Sequence, residues 1–459
     1  MGNTTTERKL PKWFPFAWAG HSISMSLNVI LVGYITFYCT DVLGLDPLII
    51  GTLLMVSKLV DAFTDIGFGF LLERTHTKLG KARPYEFAIL FGWFFTALMF
   101  TVPDMSKSAQ YTYVFIMYIL VNAVCITCCD GGNPVYLVRC APKKSDQVKV
   151  LSINGSFVML VSIAFNIVMP KIINSVGTSK AAWSKMAATF AVALAAIGML
   201  RFIFCKEIVS DETVKEEKKH RLKFSEMVKL IAANKYVWIL FFIVLITNII
   251  NNLSTVQTYY FKYIIGNISL ASLPAMSAML TPFVILLFPV LSRKIGTTNI
   301  LRGGVSMGII GLAIRTIGGT NMVTIILGSA FFSIGIVPIS MLVGIYAIEV
   351  MEYGEWKTGT RIEGPLTSLN SFATKTGPAI ASGMTGLIMG MCGYDGQAAT
   401  QSEAALSAIS ALYNWIPLIC FVVVLILAIL WNLDKLAPQM KKELAERREK
   451  TAVETKEVL

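Results

Sequence analysis

Three residues able to do chemistry sit where charge is least welcome. The stretch Leu53 to Phe70, LLMVSKLVDAFTDIGFGF, is apolar enough to lie in a bilayer, yet it carries Lys58, Asp61 and Asp65. Positions three and four apart share a helix face, so the three charges form one stripe. An ionised side chain at bilayer depth costs roughly 3 kcal/mol on insertion scales, so the stripe is expected to face protein or a water-filled path. Two carboxylates a turn apart repel each other. A cation between them, or a proton on one, relieves that repulsion. One reading is a coupling-ion site. The other is an ion-pair network, Lys58 with either acid, that only locks helices together.

A fourth charge is as poorly placed. In SLNSFATKTGPAIASGMTG, Lys375 lies too deep in an apolar helix to snorkel easily to water. Such a lysine needs an anionic partner or loses its proton. Asp61, Asp65 and Asp130 are the candidate partners, either as a working charge cluster between two halves of the chain or as a structural tether.

The elements that position these groups follow from composition. The chain has 459 residues, 55% of them hydrophobic and 15% charged, with a mean hydropathy of +0.64. That excludes an ordinary soluble domain. With about 20 apolar residues needed per crossing, about twelve spans are legible, near 13–39, 48–72, 85–102, 111–137, 150–173, 181–204, 237–264, 271–291, 300–317, 323–350, 365–391 and 405–430. The fold class is therefore an all-α polytopic membrane protein. Its outline is a six-helix half (1–205), a charged linker (206–232), a second six-helix half (233–432) and a polar tail (433–459). That is the outline of a major-facilitator-type transporter, whose halves rock about a central cavity. The net charge of +12 lies largely in loops between spans. It reads as positive-inside topology with both termini cytoplasmic, not as nucleic-acid binding. No cleavable leader is visible.

Other polar runs admit two readings each. Asn248, Asn251, Asn252, Ser254, Thr255 and Gln257 crowd one span and either face a cavity or bond neighbouring helices. The run Glu349, Glu352, Glu355, Arg361, Glu363, with Arg83 in the basic loop 73–84, is a candidate cytoplasmic salt-bridge gate or an ordinary charged loop. Cys125, Cys128 and Cys129 look like a metal cluster on paper, but no histidine lies near them in sequence and small packing residues explain them; no structural metal is expected. The three histidines, His21, His76 and His220, fall in no zinc or hydrolase motif, and no phosphate-binding glycine loop occurs. An enzyme and an ATP-driven pump are both unsupported.

Four passages then carry a resemblance over nearly the whole chain: FYCTDVLGL (Phe37 to Leu45), KLVDAFTDIGFGFLLERTHTKLGKARPY (Lys58 to Tyr85), YYFKYIIG (Tyr259 to Gly266), and EYGEWKTGTRIEG with SFATKTG (Glu352 to Gly377). The sequence resembles the glycoside–pentoside–hexuronide:cation symporters, the group of the bacterial melibiose carrier. The resemblance implies a symporter in the bacterial cytoplasmic membrane, coupled to Na⁺, Li⁺ or H⁺ and using no other cofactor. Its partners would be a small solute, a monovalent cation and the bilayer, with a monomer expected. By resemblance, Asp61, Asp65 and Thr127 match the cation site, and Lys58 and Lys375 its basic neighbours. Two carboxylates and a hydroxyl are hard oxygen ligands and lean the expectation towards Na⁺.

The departures bear on the solute. The family's sugar binders have an acid in span one, where WAGHSISMSLN offers His21, Ser22, Ser24, Ser26 and Asn28 instead. Asp130 aligns only across a gap in CCDGGNPVYLVRC. Ile66 replaces a proline, and Asn154 stands where an arginine is frequent. Candidate solute residues are His21, Ser24, Asn28, Asp130, Asn133, Asn251, Asn252 and Lys375. With fewer acids to grip hydroxyls, melibiose is expected to bind poorly. An uncharged glycoside, a sugar with an apolar part or a non-sugar solute remain open. Trp18, Trp93, Tyr259 and Tyr260 could stack on a ring or anchor span ends. A solute sensor or scaffold of the same fold is the alternative to a symporter.

Overall fold

The computed structural model describes residues 10–75, 77–207, 234–359, 364–398, 400–434, 436–440, 442–444 and 446. Most of the linker, most of the tail, His76, Arg361 and Glu363 lie outside them. The described residues form helices α1 (Phe14–Val42), α2 (Pro47–Arg74), α3 (Ala88–Met99), α4 (Lys107–Cys140), α5 (Lys144–Val176), α6 (Lys180–Phe204), α7 (Lys235–Ile264), α8 (Ile268–Ile295), α9 (Thr297–Gly318), α10 (Met322–Thr358), α11 (Gly364–Met391) and α12 (Glu403–Leu430).

Ten of these are long and apolar enough to cross a membrane, against about twelve expected. The other two are α3 and α11. Helix α3 has 12 residues and is extended only by a 3₁₀ turn at Arg83–Phe87. Helix α11 has length but places Lys375 among Asn370, Ser371, Thr374 and Thr376.

Local sequence sets the helix ends. Pro47 opens α2 behind Asp46, whose carboxylate accepts the Leu48 N–H at 2.8 Å. Asn234 and Asn321 cap α7 and α10 in the same way. Helix α10 ends at Gly359, whose φ of +72° is a left-handed conformation that glycine adopts without strain. The charged run from Glu349 to Lys357, expected as a loop, is therefore the last turns of α10. Single π-helical segments end α1 (Tyr38–Val42) and α7 (Tyr260–Ile264) and interrupt α4 (Leu120–Ile126) and α12 (Ala411–Trp415). Such wide turns recur at working positions.

Two compact units divide the chain. Unit one holds the described residues of Met1–Glu217, Gly266–Ser272 and Ser382–Ala405; unit two holds those of Lys218–Ile265, Leu273–Ala381 and Leu406–Leu459. Unit one has a core of Phe14, Trp18, Phe68, Tyr136 and Val150. It also joins α2 to the end of α11 through glycine: a Cβ on Gly51 would lie 2.6 Å from Gly386 Cα. Unit two has its core around Tyr236, Leu240, Leu342, Phe421 and Trp431. There α9 meets α10 along small residues, and a Cβ on Gly311 would lie 2.5 Å from the Gly328 oxygen. In lipid, where apolar burial drives little association, such close backbone contact supplies the packing.

Candidate functional site

Helices α2 and α4 of unit one bring three oxygens together. The Thr127 hydroxyl lies 3.0 Å from Asp61 Oδ1 and 3.0 Å from Asp65 Oδ1, and 3.4 Å from the Asn122 carbonyl. Thr127 opens the regular part of α4 directly after its π segment and is buried. A hydroxyl has one hydrogen to donate, so it serves one carboxylate at a time. The two acid oxygens are no further apart than twice the bond length. Lys58, one turn away on α2, donates to Asn122 Oδ1 at 3.3 Å and sits 5.6 Å from the centre of the Tyr118 ring. Its ammonium thus engages an amide and an aromatic face, with no ion pair to Asp61 or Asp65 among the described residues. Groups of three or more His, Cys, Asp or Glu able to hold a metal are absent among the described residues. The arrangement suits a monovalent cation or a proton.

A cavity of about 480 Å³ lies elsewhere in unit one, between α1, α4 and α5, and His21, Ser26, Asp130, Asn133 and Asn166 are among its lining. Three solute candidates, His21, Asp130 and Asn133, therefore share one wall system. Ser24 and Asn28 do not. Ser24 donates to the Leu194 carbonyl at 2.7 Å and accepts from Trp93 Nε1, while Asn28 donates to Thr96 at 2.9 Å. Both face neighbouring helices, since α1 presents positions 21, 22, 25, 26 and 29 to the cavity and 24 and 28 to its other side.

Sequence reasoning missed the pair beneath this cavity. Arg201 donates from Nε and Nη2 to the two Glu86 oxygens, each at 2.6 Å, and from Nη1 to Asn133 Oδ1 at 2.8 Å. Arg201 is fully buried and Glu86 is 2% exposed. The guanidinium stacks 4.6 Å from Trp18, and His21 Nδ1 approaches Glu86 Oε2 at 3.1 Å. Because Arg201 can only donate, the Asn133 oxygen faces it and the amide N–H₂ remains for another partner. The signal was available: Arg201 is a lone charge in AAIGMLRFIFC, subject to the same rule that singled out Lys375.

In unit two, Asn251 is exposed and Asn252 donates back to the Asn248 carbonyl at 3.1 Å. Lys375 is half-buried on the part of α11 that belongs to unit two. Trp18, Trp93, Tyr259 and Tyr260 are buried in helix packing and not in the cavity wall. Of the gate residues, Arg83 donates to the Phe202 carbonyl at 2.8 Å and stacks on that ring. Its loop is pinned by Glu207, whose carboxylate accepts the N–H groups of Lys81, Ala82 and Arg83. Glu349, Glu352 and Glu355 are half-buried on α10.

Comparison with known proteins agrees with this architecture. Residues 18–435 match the profile of the family described as MFS/sugar transport protein. The chain is 31% identical over 447 residues to the isoprimeverose transporter of Lactiplantibacillus pentosus, covering 95% of this chain and 91% of that one. It is 25% identical over 374 residues to the glucuronide carrier protein homolog of Escherichia coli (strain K12), covering 79% of each. A solved bacterial homologue of the iron transporter ferroportin shares the fold, with a TM-score of 0.61 at 14% identity over 92% of this chain and 99% of that one. The chain is thus a multi-pass membrane transporter, not an enzyme, and it belongs to the MFS/sugar transport protein family, within the glycoside–pentoside–hexuronide symporters of the major facilitator superfamily.

Proposed function

We propose that the protein is a symporter that couples Na⁺, or a proton in its place, to uptake of a sugar or glycoside by alternating access. The observation that carries this reading is the convergence of Asp61, Asp65 and Thr127 oxygens on one point. Two carboxylates and a hydroxyl at membrane depth form a group whose repulsion a bound cation relieves. The solute belongs in the cavity beside His21, Asp130 and Asn133, where hydroxyl groups would find both donors and acceptors. A pentose-containing disaccharide such as isoprimeverose is the favoured candidate, from the relative named for it. Lys58 and Lys375 would tune the cation site. The basic loops support a topology with both termini in the cytoplasm.

The test is thermal stability of the purified protein against a panel of sugars and glycosides, with and without Na⁺. A ligand bound only by the folded state raises stability by mass action. Na⁺ and one glycoside should stabilise more together than separately. A pH-dependent response without Na⁺ dependence would assign the coupling to protons. A glycoside that binds with no dependence on either ion would remove the coupling claim and favour a sensor.

A further inference from the structure

Unit two contains a second cavity, of about 150 Å³, with Arg315, Ser329, Tyr413 and Ser333 in its wall. Neither the oxygen cluster nor the larger cavity accounts for it. Arg315 lies in the last turn of α9 and is 6% exposed. Its Nε donates to Asn414 Oδ1 at 2.8 Å, and its Nη2 donates to the Tyr413 carbonyl. The guanidinium lies 4.0 Å from the centre of the Tyr413 ring. The π segment of α12 supplies both Tyr413 and Asn414.

All of these partners are neutral. Arg315 has no carboxylate in ion-pair contact among the described residues, and its side-chain contacts there are Asn414, Tyr413 and the Phe332 ring. The α9 carbonyl end offers a fractional negative charge, about half a unit. An arginine remains protonated in proteins, so a net positive charge stays buried in protein at the end of the α9 span, an arrangement that calls for a counter-charge. Two further donors line the same cavity. The hydroxyls of Ser329 and Tyr413, each residue 4% exposed, belong to its wall, and that of Tyr413 lies within hydrogen-bonding reach of Ser329 and Arg315.

We propose that this cavity binds one small monovalent anion, chloride or a short carboxylate, through the Arg315 guanidinium and the hydroxyls of Ser329 and Tyr413. The volume corresponds to roughly five waters at about 30 Å³ each, room for a few heavy atoms and not for a disaccharide. The anion would neutralise the charge of Arg315. It is distinct from the transported solute and from the coupling cation.

The experiment uses the purified full-length protein with N-methylglucamine as the only added cation, which keeps the result independent of the Na⁺ site. Gluconate, too large for the cavity, is replaced by chloride or formate at constant ionic strength while thermal unfolding is followed. The expected result is a saturating rise of a few degrees in Tm. A response to chloride alone, or to formate alone, supports the site and says which anion it takes. Arg315→Gln should abolish the response but can unfold the protein. The Ser329→Ala, Tyr413→Phe double variant therefore carries the comparison. It keeps the guanidinium, removes two donors and should raise the half-saturating anion concentration at least tenfold. Absence of a saturating response in the unaltered protein overturns the proposal, and so does an unchanged half-saturation in the double variant.

Discussion

Removing the Thr127 hydroxyl isolates the role of the oxygen cluster. Asp61 Oδ1 and Asp65 Oδ1 each lie 3.0 Å from that hydroxyl. Two unit negative charges no more than 6.0 Å apart repel by at least roughly 3 kcal/mol at an effective dielectric of about 20, which is the order of what a bound cation relieves. The hydroxyl adds one oxygen to the cation's shell. Losing a hydrogen-bonding partner to a charged group costs about 1.5–3 kcal/mol; water fills part of the gap, so the lower end applies. Thr127→Ala should therefore raise the Na⁺ concentration for half-maximal uptake by about tenfold. Thr127→Ser keeps the oxygen and should return it to within about threefold of the unaltered protein. The assay is Na⁺-dependent solute uptake into proteoliposomes of matched protein content. If Thr127→Ala stays within about twofold, or if Ser rescues no better than Ala, the hydroxyl is not a ligand and the convergence is helix packing alone.

Three further outcomes are expected. Asp61→Asn or Asp65→Asn should abolish cation-driven accumulation while the protein stays in the membrane, as read by uptake beside immunoblotting; unchanged accumulation would remove the acid from the site. Glu86→Gln leaves Arg201 buried without its carboxylate, and loss of one partner of such a pair costs about 3–5 kcal/mol. The measurable result is a sharp fall in Tm or in folded yield, and an unaltered melting curve would show that the pair is not needed. Asn28→Ala loses one bond to Thr96, worth about 1 kcal/mol; it should lower Tm slightly and leave the apparent KM within about twofold, whereas a large rise in KM would return Asn28 to the solute site.

The helical class and the span order were legible because bilayer thickness imposes a length and an apolarity on each crossing. Asp61, Asp65 and Lys58 were legible for the same reason, since a charge inside such a segment stands out. Thr127 was reached only through the family resemblance; a hydroxyl in a helix carries no signal of its own, and its approach to both acids depends on how α2 packs on α4. Ser24 and Asn28 were grouped with His21 because residues were counted along span one without deciding which face of α1 meets the cavity, and the structure turns both to neighbouring helices. Arg201 and Arg315 obey the rule that marked Lys375, and applying it to every lone charge would have found both. The run after Glu349 read as a loop by its charge, yet the helix continues until Gly359, the first residue suited to end it. Unit membership was the least legible feature. Residues Ser382–Ala405 belong with unit one although they follow the long linker, because close glycine contacts such as Gly51 with Gly386 are set by packing and not by chain order.

The most direct test of the symport claim is accumulation of a radiolabelled pentose-containing disaccharide in proteoliposomes under an imposed inward Na⁺ gradient, repeated with an inward proton gradient. Accumulation above the external concentration with one of the two gradients, lost in Asp65→Asn, is the predicted result. Simple equilibration of the sugar, indifferent to both gradients, would contradict it.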